Sequence, residues 1–358
     1  MTGMRSLSVT IQHQKDLTQR SLSKINSDVQ RAAIICCIES GTLEAQVVRL
    51  ANSIRKYGGS LLSTVPIIAV RPRLGPPLSR PTRQSLRQFQ VELIERRMNR
   101  SFAWQHYTNK AHALLAAEDV VSAEQYIWLD SDVLFLADPS EHLILRSPED
   151  FAACAPDRGS IGSSGPEDRN DEIWHRACDT YGIDINSLPW VVTCTERLRI
   201  RFYLNSGVFV YRRSSGFAQT FAEDCFRHLR AKASRSHVEV HFSDQLVLSL
   251  CVHRMGLKWR LLPHSCNYAC YSKLLECVTP GDLASAQILH YHDMMTAKNW
   301  PQLVSLIRHA YLPCRGYLES MGPLRDPSGR MARGARELLR IVRGLKRRSY
   351  YLTCGFQK

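Results

Sequence analysis

Apolar positions along this chain follow two alternating rhythms. Short unbroken runs, Ala32–Ile38, Pro66–Val70, Val91–Ile94 and the run that ends at Asp130, are bounded by Gly, Pro or polar residues and read as buried strands. Between them apolar residues recur at helical spacing. Leu43, Val47, Leu50, Ala51 and Ile54 form one stripe, closed by Gly58-Gly59, and Lys110–Glu118 continues the pattern. Pro72–Pro81 holds four prolines and a glycine and is expected to be a loop. Strand and helix in alternation predict an α/β protein with a mostly parallel sheet covered by helices on both faces. Further on, Phe151–Cys154, Lys258–Leu262 and Gln287–Tyr291 read as strands, and Phe217–Leu229 and Asp244–Val252 as helices. Arg158–Asn170, rich in Gly, Ser and charge, reads as a mobile loop. Tyr203–Tyr211 is apolar at both ends around a small polar break.

Composition narrows this little. The chain has 358 residues, 44% hydrophobic and 22% charged, which suits a globular protein of one large or two ordinary domains. No apolar run reaches the length of a membrane span. The polar segment Met1–Arg31 lacks the apolar centre of a signal peptide, so a cytoplasmic setting is expected. The twelve cysteines then read as reduced thiols. A zinc site from Cys266, Cys270, Cys277 and His264 is disfavoured, because their spacing matches no C-x-x-C pair.

Charge changes the picture more. The net charge is +14, and Arg325–Lys358, with ten basic residues against two acidic, supplies +8 of it. Ala332, Ala335, Leu338, Leu339, Val342 and Leu345 share one helical face, and Arg333, Arg336, Arg340, Arg343 and Arg347 spread over the other. Such a helix suits an anionic membrane surface. The alternative is a solvated helix packed on the domain. No nucleic-acid partner is expected, since no recognition motif accompanies the basic run.

The chemistry centres on Tyr126-Ile-Trp-Leu-Asp-Ser-Asp-Val-Leu-Phe135. Asp130 and Asp132 stand where an apolar strand ends, and ligands of open α/β sheets lie beyond the carboxyl ends of strands. Two neighbouring carboxylates repel unless a cation sits between them. Mg²⁺ or Mn²⁺ commonly bridges such a pair to a phosphate. Two other readings compete: a haloacid-dehalogenase-type phosphohydrolase with Asp130 as nucleophile, and a surface turn capped by aspartates. The phosphohydrolase would carry its aspartate near the N-terminus and need a later acidic metal pair, and no Asp-Asp pair follows Asp130 here. His290 and His292, at the end of a late apolar run, could complete a metal shell, and Lys298 could neutralise a diphosphate. Asn205-Ser-Gly207 marks either a close approach of ligand or a β-bulge. Asp244-Gln245 opens a helix, where a carboxylate is favoured for local reasons alone.

In order along the chain, Leu129-Asp-Ser-Asp132, Leu204-Asn-Ser-Gly-Val208, Asp244-Gln245, and a histidine followed by Lys298-Asn-Trp300 resemble the motifs of the GT-A glycosyltransferases. The likeness is to the retaining group that includes glycogenin and the bacterial lipopolysaccharide galactosyltransferases, and it covers roughly residues 32–310. The glycine and proline of that group's late motif are absent here. The resemblance implies a GT-A-type Rossmann-like fold over residues 32–322, between a polar tail (1–31) and a basic amphipathic segment (323–358). It implies sugar transfer from a nucleotide-diphosphate donor, a UDP-sugar, to a carbohydrate, lipid or protein acceptor with retention. Asp132 and one of His290 and His292 would bind Mn²⁺ or Mg²⁺. Asp130 would contact the ribose or donor sugar and the metal. Glu39 would lie near the base and Lys110 near the donor. Lys298 would hold the leaving diphosphate. Asn205, Asp244 and Gln245 would contact the sugar, with Asp244 or Gln245 near the reacting carbon. A non-catalytic binding protein of the same fold is a further alternative. A sugar nucleotidyltransferase is disfavoured because Glu39-Ser-Gly-Thr-Leu-Glu44 is no Gly-rich loop.

Overall fold

β1 (Gln30–Cys37) shows why the sheet is buried on both faces. Ala33 and Ile35 enter one apolar cluster, Ala32, Ile34 and Cys36 the other, as a central parallel strand requires. In this computed structural model, which describes residues 30–354, β1 pairs in parallel with β2 (Ile67–Arg71) on one side and β4 (Ala123–Leu129) on the other. The polar tail expected over residues 1–31 lies almost wholly outside the described residues. β3 (Val91–Glu95) pairs in parallel with β2, and β6 (Phe151–Ala153) with β10 (Trp259–Leu261). β9 (Val208–Arg212) runs antiparallel between β4 and β6. The strand order is β10-β6-β9-β4-β1-β2-β3, the mostly parallel α/β sheet expected from the alternating pattern. A second sheet joins β5 (Val133–Phe135), β11 (Tyr268–Ala269) and β12 (Ile288–His290), and a hairpin is made by β7 (Trp190–Val192) and β8 (Arg199–Arg201).

The chain leaves β1 through the Thr42–Tyr57 helix toward β2, whereas β4 lies on the other side of β1. That reversal opens a crevice at the carboxyl ends of β1 and β4. The helix is seated by Val47, Leu50, Ala51 and Ile54, all fully buried. Its start is fixed by Glu44, whose carboxylate accepts from Gly41 N–H at 3.0 Å and from Ser79 N–H at 2.8 Å. This double use explains a buried glutamate.

Two expectations need adjusting. Arg80 and Pro81 are not loop but open an unforeseen helix, Arg80–Gln88. Proline fits a first helical turn, where no N–H is needed, and Ser79 Oγ accepts from Thr82 N–H. The apolar run from Tyr203 becomes strand only at Val208, so Asn205-Ser-Gly207 is a turn before the strand and not a β-bulge, because Asn205 Oδ1 takes the Gly207 N–H at 2.7 Å and turns the chain. Among the described residues no helix is long and apolar enough to cross a membrane. All twelve cysteines are free.

Candidate active site

The ends of β1, β4 and β9 supply the groups of the crevice. β4 delivers Asp130 and Asp132, β1 delivers Glu39, and the turn before β9 delivers Asn205, Ser206 and Gly207. Two helix starts add Lys110 and Asp244-Gln245. These side chains line one cavity of about 650 Å³.

β5 and β12 run antiparallel, with Val133 opposite His290, which sets Asp132 beside His290. Tyr291 N–H also donates to the Asp132 carbonyl at 3.0 Å. His290 Nε2 lies 3.2 Å from Asp132 Oδ1, and His292 Nδ1 3.8 Å from Asp132 Oδ2. The two imidazoles stack at 3.8 Å. One ligand atom from each of the three residues falls within 4.8 Å of the others. His290 Nδ1 faces Asn267 Oδ1 at 2.9 Å and must donate to it, so the Nε2 lone pair of the neutral ring points at the Asp132 carboxylate. Lone pair facing anion is repulsive unless a proton or a cation lies between. An O,N,N donor set with this orientation fits a divalent ion. His292 holds a left-handed backbone, φ 42°, unusual for a residue with a side chain.

Electrostatics follow the geometry. Burial opposes ionisation of Asp132, but the His290 charge and hydrogen bond outweigh it and hold the carboxyl well below its usual range. Burial also works against a charged His290, and Asp132 overcomes it, raising the imidazole. His292 is pushed down to about 4 by burial and by the charge of His290. Asp130 is raised by burial, opposed by Lys110 and reinforced by Asp132.

Asp130 is steered from three sides. Its N–H donates to the Gly207 carbonyl at 2.8 Å, its Oδ1 accepts from the Trp128 indole at 2.8 Å, and Lys110 Nζ stands 3.5 Å away. Lys110, 3% exposed, donates to the Ser206 carbonyl at 2.7 Å, Ser206 Oγ at 2.8 Å and Asp244 Oδ2 at 2.9 Å. Ser206 Oγ in turn donates to Asp244 Oδ2. Gln245 Oε1 accepts from Ser206 N–H at 3.3 Å. Gly207 is required by close approach: a Cβ there would meet His290 Cε1 at 2.6 Å.

The profile of the Rhodobacterales glycosyltransferase domain matches residues 34–256, more than half of the chain. The chain belongs to this glycosyltransferase family. The match decides for the transferase over the phosphohydrolase and the non-catalytic alternative. No curated protein matches the chain in sequence. Similar solved structures include the WbbM bifunctional glycosyltransferase without ligand, 12% identical over 82% of this chain and 52% of that one, TM-score 0.44. The transferase therefore spans about half the length of WbbM. Mouse xyloside xylosyltransferase 1 is 13% identical over 74% of this chain and 97% of that one, TM-score 0.42. The galactosyltransferase LgtC, solved with donor and acceptor sugar analogues, is 11% identical over 85% of this chain and 99% of that one, TM-score 0.42.

The cavity of the transferase brings together Glu39, Lys110, Asp130, Asp132, Asn205, Asp244, Gln245, His290 and His292. Lys298 is not among them; it is exposed in the turn after β12. Cationic groups missed in the sequence are present instead. Arg73 grips Glu39 with Nε at 2.5 Å and Nη2 at 2.8 Å, while Asn109 Nδ2 donates to the same carboxylate at 2.7 Å. Arg336, from the C-terminal helix Arg330–Thr353, bonds Asp326 and Ser40 at the cavity wall. An aromatic wall of His106, Tyr107 and His241 was also unforeseen, with Tyr107 Oη 3.3 Å from His241 Nε2. A signal for Arg73 existed, since it closely follows the end of β2 at the crevice edge. Nothing in the local sequence points to Arg336.

Proposed function

We propose that the transferase moves a sugar from a nucleotide-diphosphate donor, a UDP-sugar by motif likeness, to an acceptor hydroxyl with retention. Mn²⁺ or Mg²⁺ would be held by Asp132, His290 and His292, with Asp130 beside them. The observation that carries this reading is the convergence of one carboxylate and two imidazoles, one tautomer fixed by Asn267, on the wall of a sugar-nucleotide-sized cavity. Imidazole donors favour Mn²⁺ over Mg²⁺, which prefers oxygen throughout. Bound there, the ion would supply Lewis-acid stabilisation of charge on the departing diphosphate.

The protein's own groups do the rest. Glu39, clamped by Arg73 and Asn109, presents a fixed carboxylate to the nucleoside. Asp130 is aimed by the Trp128 indole, leaving Oδ2 for the ribose or donor sugar. Lys110 and Ser206 hold Asp244 Oδ2, so the rotamer is locked and Oδ1 is left for the sugar and for positive charge on its reacting carbon. Asn205 and Gln245 offer amide N–H groups to sugar hydroxyls. The diphosphate role that the motif likeness gives Lys298 would require its turn to move, since the side chain is exposed outside the cavity. The acceptor is a carbohydrate, lipid or protein hydroxyl.

A membrane surface is the proposed setting. Met331, Leu338, Ile341, Val342, Leu345 and Leu352 form an outward apolar stripe on the C-terminal helix, flanked by Arg330, Lys346 and Arg348. The functional test is release of nucleoside diphosphate from a panel of nucleotide sugars, with and without Mn²⁺. Metal-dependent turnover of one of them is expected; no binding or turnover of any member would sink the reading.

A further inference from the structure

The C-terminal helix docks by its basic side. An amphipathic helix ordinarily buries its apolar stripe, yet here Leu338 is 67% and Leu345 64% exposed. Arg336, Arg340, Arg343 and Arg347 are spaced to share one face; Arg336 and Arg343 are half-buried against the body of the protein, and Arg340 and Arg347 stand exposed at its rim. With Arg71 and Arg73 from the end of β2 they line a cavity of about 320 Å³ between this helix and the ends of β1 and β2. It adjoins the first cavity, sharing Glu39, Ser40, Arg73, His106 and Arg336 with it.

Six arginines meet only two lining carboxylates, Glu39 and Glu337. Glu39 is already gripped by Arg73 and lies 3.9 Å from Arg343; Glu337 is bonded by Arg340 Nε. Arg71 and Arg336 are neutralised from outside the cavity, by Glu95 and Asp326. Arg347 has no hydrogen bond or ion pair among the described residues. Guanidinium groups do not shed their protons, so converging charge of this kind is relieved by solvent at the exposed rim and, at the half-buried Arg343, by an anion. Burial and the nearby Arg73 both weigh against the charge on Arg343. The planar forks of Arg340, Arg343 and Arg347 match the oxygens of a phosphate group.

We propose that this cavity is an anion subsite that takes a phosphate group, with Arg340, Arg343 and Arg347 as its ligands. The phosphate belongs either to a small soluble compound or to a lipid headgroup, reached beside the outward stripe of the same helix. The subsite is independent of the sugar-transfer reading and shares no residue with the Asp132 cluster. Its occupant would pin the helix that carries Arg336 to the wall of the first cavity.

The test uses the full chain without metal. Inorganic phosphate is titrated by calorimetry, and co-sedimentation is measured with phosphatidylcholine vesicles with and without phosphatidic acid. Three variants are compared: Arg340→Gln/Arg347→Gln, which leaves the first cavity untouched; Arg87→Gln/Arg230→Gln, which removes equal charge from exposed positions on two other helices; and Asp132→Asn. Wild type should bind at least one probe saturably. The first variant should bind it about tenfold or more weakly, while the other two bind at close to wild-type affinity. Binding of inorganic phosphate assigns a soluble source; binding of phosphatidic acid vesicles alone assigns a headgroup. Arg340→Lys/Arg347→Lys, which keeps the charge, should recover part of the loss. The proposal falls if neither probe binds wild type, or if the two Gln double variants lose binding equally. Urea midpoints matching wild type establish that each variant is folded.

Discussion

Replacing Lys110 by Met tests whether a buried cation organises the sugar side of the cavity. Lys110 Nζ holds Asp244 Oδ2, Ser206 Oγ and the Ser206 carbonyl, all within 2.9 Å, and both charged residues are 6% exposed or less. Burial alone would lower the lysine, but Asp130 and Asp244 outweigh it and raise the ammonium above its ordinary value. Methionine keeps most of the stem volume and removes the charge, so packing loss is small. What remains is Asp244 without its cation, and breaking a buried pair in this way costs about 3–5 kcal/mol. At roughly 2 °C per kcal/mol for a chain of this size, Tm should fall by about 6–10 °C. Adding Asp244→Asn removes the stranded charge, so the double variant should be more stable than Lys110→Met alone. The coupling energy from the cycle should be about 2 kcal/mol. Urea denaturation of wild type, both single variants and the double variant measures it without any substrate. A loss below about 1 kcal/mol for Lys110→Met, with additive effects in the double variant, would show that Lys110 does not organise this side of the cavity.

Three further outcomes are expected. Gly207→Ala should drive a methyl group into the His290 ring, with contacts of 2.6 Å to Cε1 and 2.9 Å to Nδ1, and weaken Mn²⁺ binding by about tenfold or more while the fold persists; unchanged affinity in a Mn²⁺ titration would remove His290 from the cluster. Leu338→Ser/Leu345→Ser should release the protein from anionic vesicles by at least about tenfold with little change in Tm, since both side chains are exposed; undiminished co-sedimentation would take the stripe out of membrane binding. Buried His228, with Nε2 3.0 Å from Ser234 Oγ, has its imidazole pushed down to about 4 by burial and by Arg176. It stays neutral when folded, while the unfolded chain gains the proton below about 6.5, so stability present above that pH is lost toward pH 4, on the order of 2–3 kcal/mol. His228→Gln should flatten that slope in urea midpoints, and an unaltered slope would contradict the assignment.

How much of this was legible in the sequence depends on the range of the forces involved. β1, β4 and the Thr42–Tyr57 helix follow from local periodicity, because burial on a sheet or helix face imposes a repeat on the residues themselves. Asp130 and Asp132 were legible for a related reason: charge at the end of an apolar run has few structural uses. The pairing of Asp132 with His290 and His292 became geometry only through the β5–β12 register. The Arg80–Gln88 helix was obscured by Pro81, a residue that breaks helices everywhere except at their start. Arg336 reaches Ser40 from 296 positions away, a contact that no local pattern encodes. The C-terminal helix shows the limit most clearly. Amphipathicity announced two faces, but which face docks was decided by Glu39 and Asp326 waiting on the body of the protein. Lys298 matched a motif by spacing alone, and spacing does not set which way a turn projects.

Asp132, His290 and His292 are proposed to hold a divalent ion that clamps a nucleotide diphosphate in the first cavity. The direct measurement is calorimetric titration of UDP into wild type and Asp132→Asn, each with Mn²⁺ and with chelator. UDP should bind wild type only when Mn²⁺ is present, and should bind Asp132→Asn at least about tenfold more weakly under the same conditions. Equal UDP affinity with and without metal, or a variant that binds as tightly as wild type, would contradict that proposal.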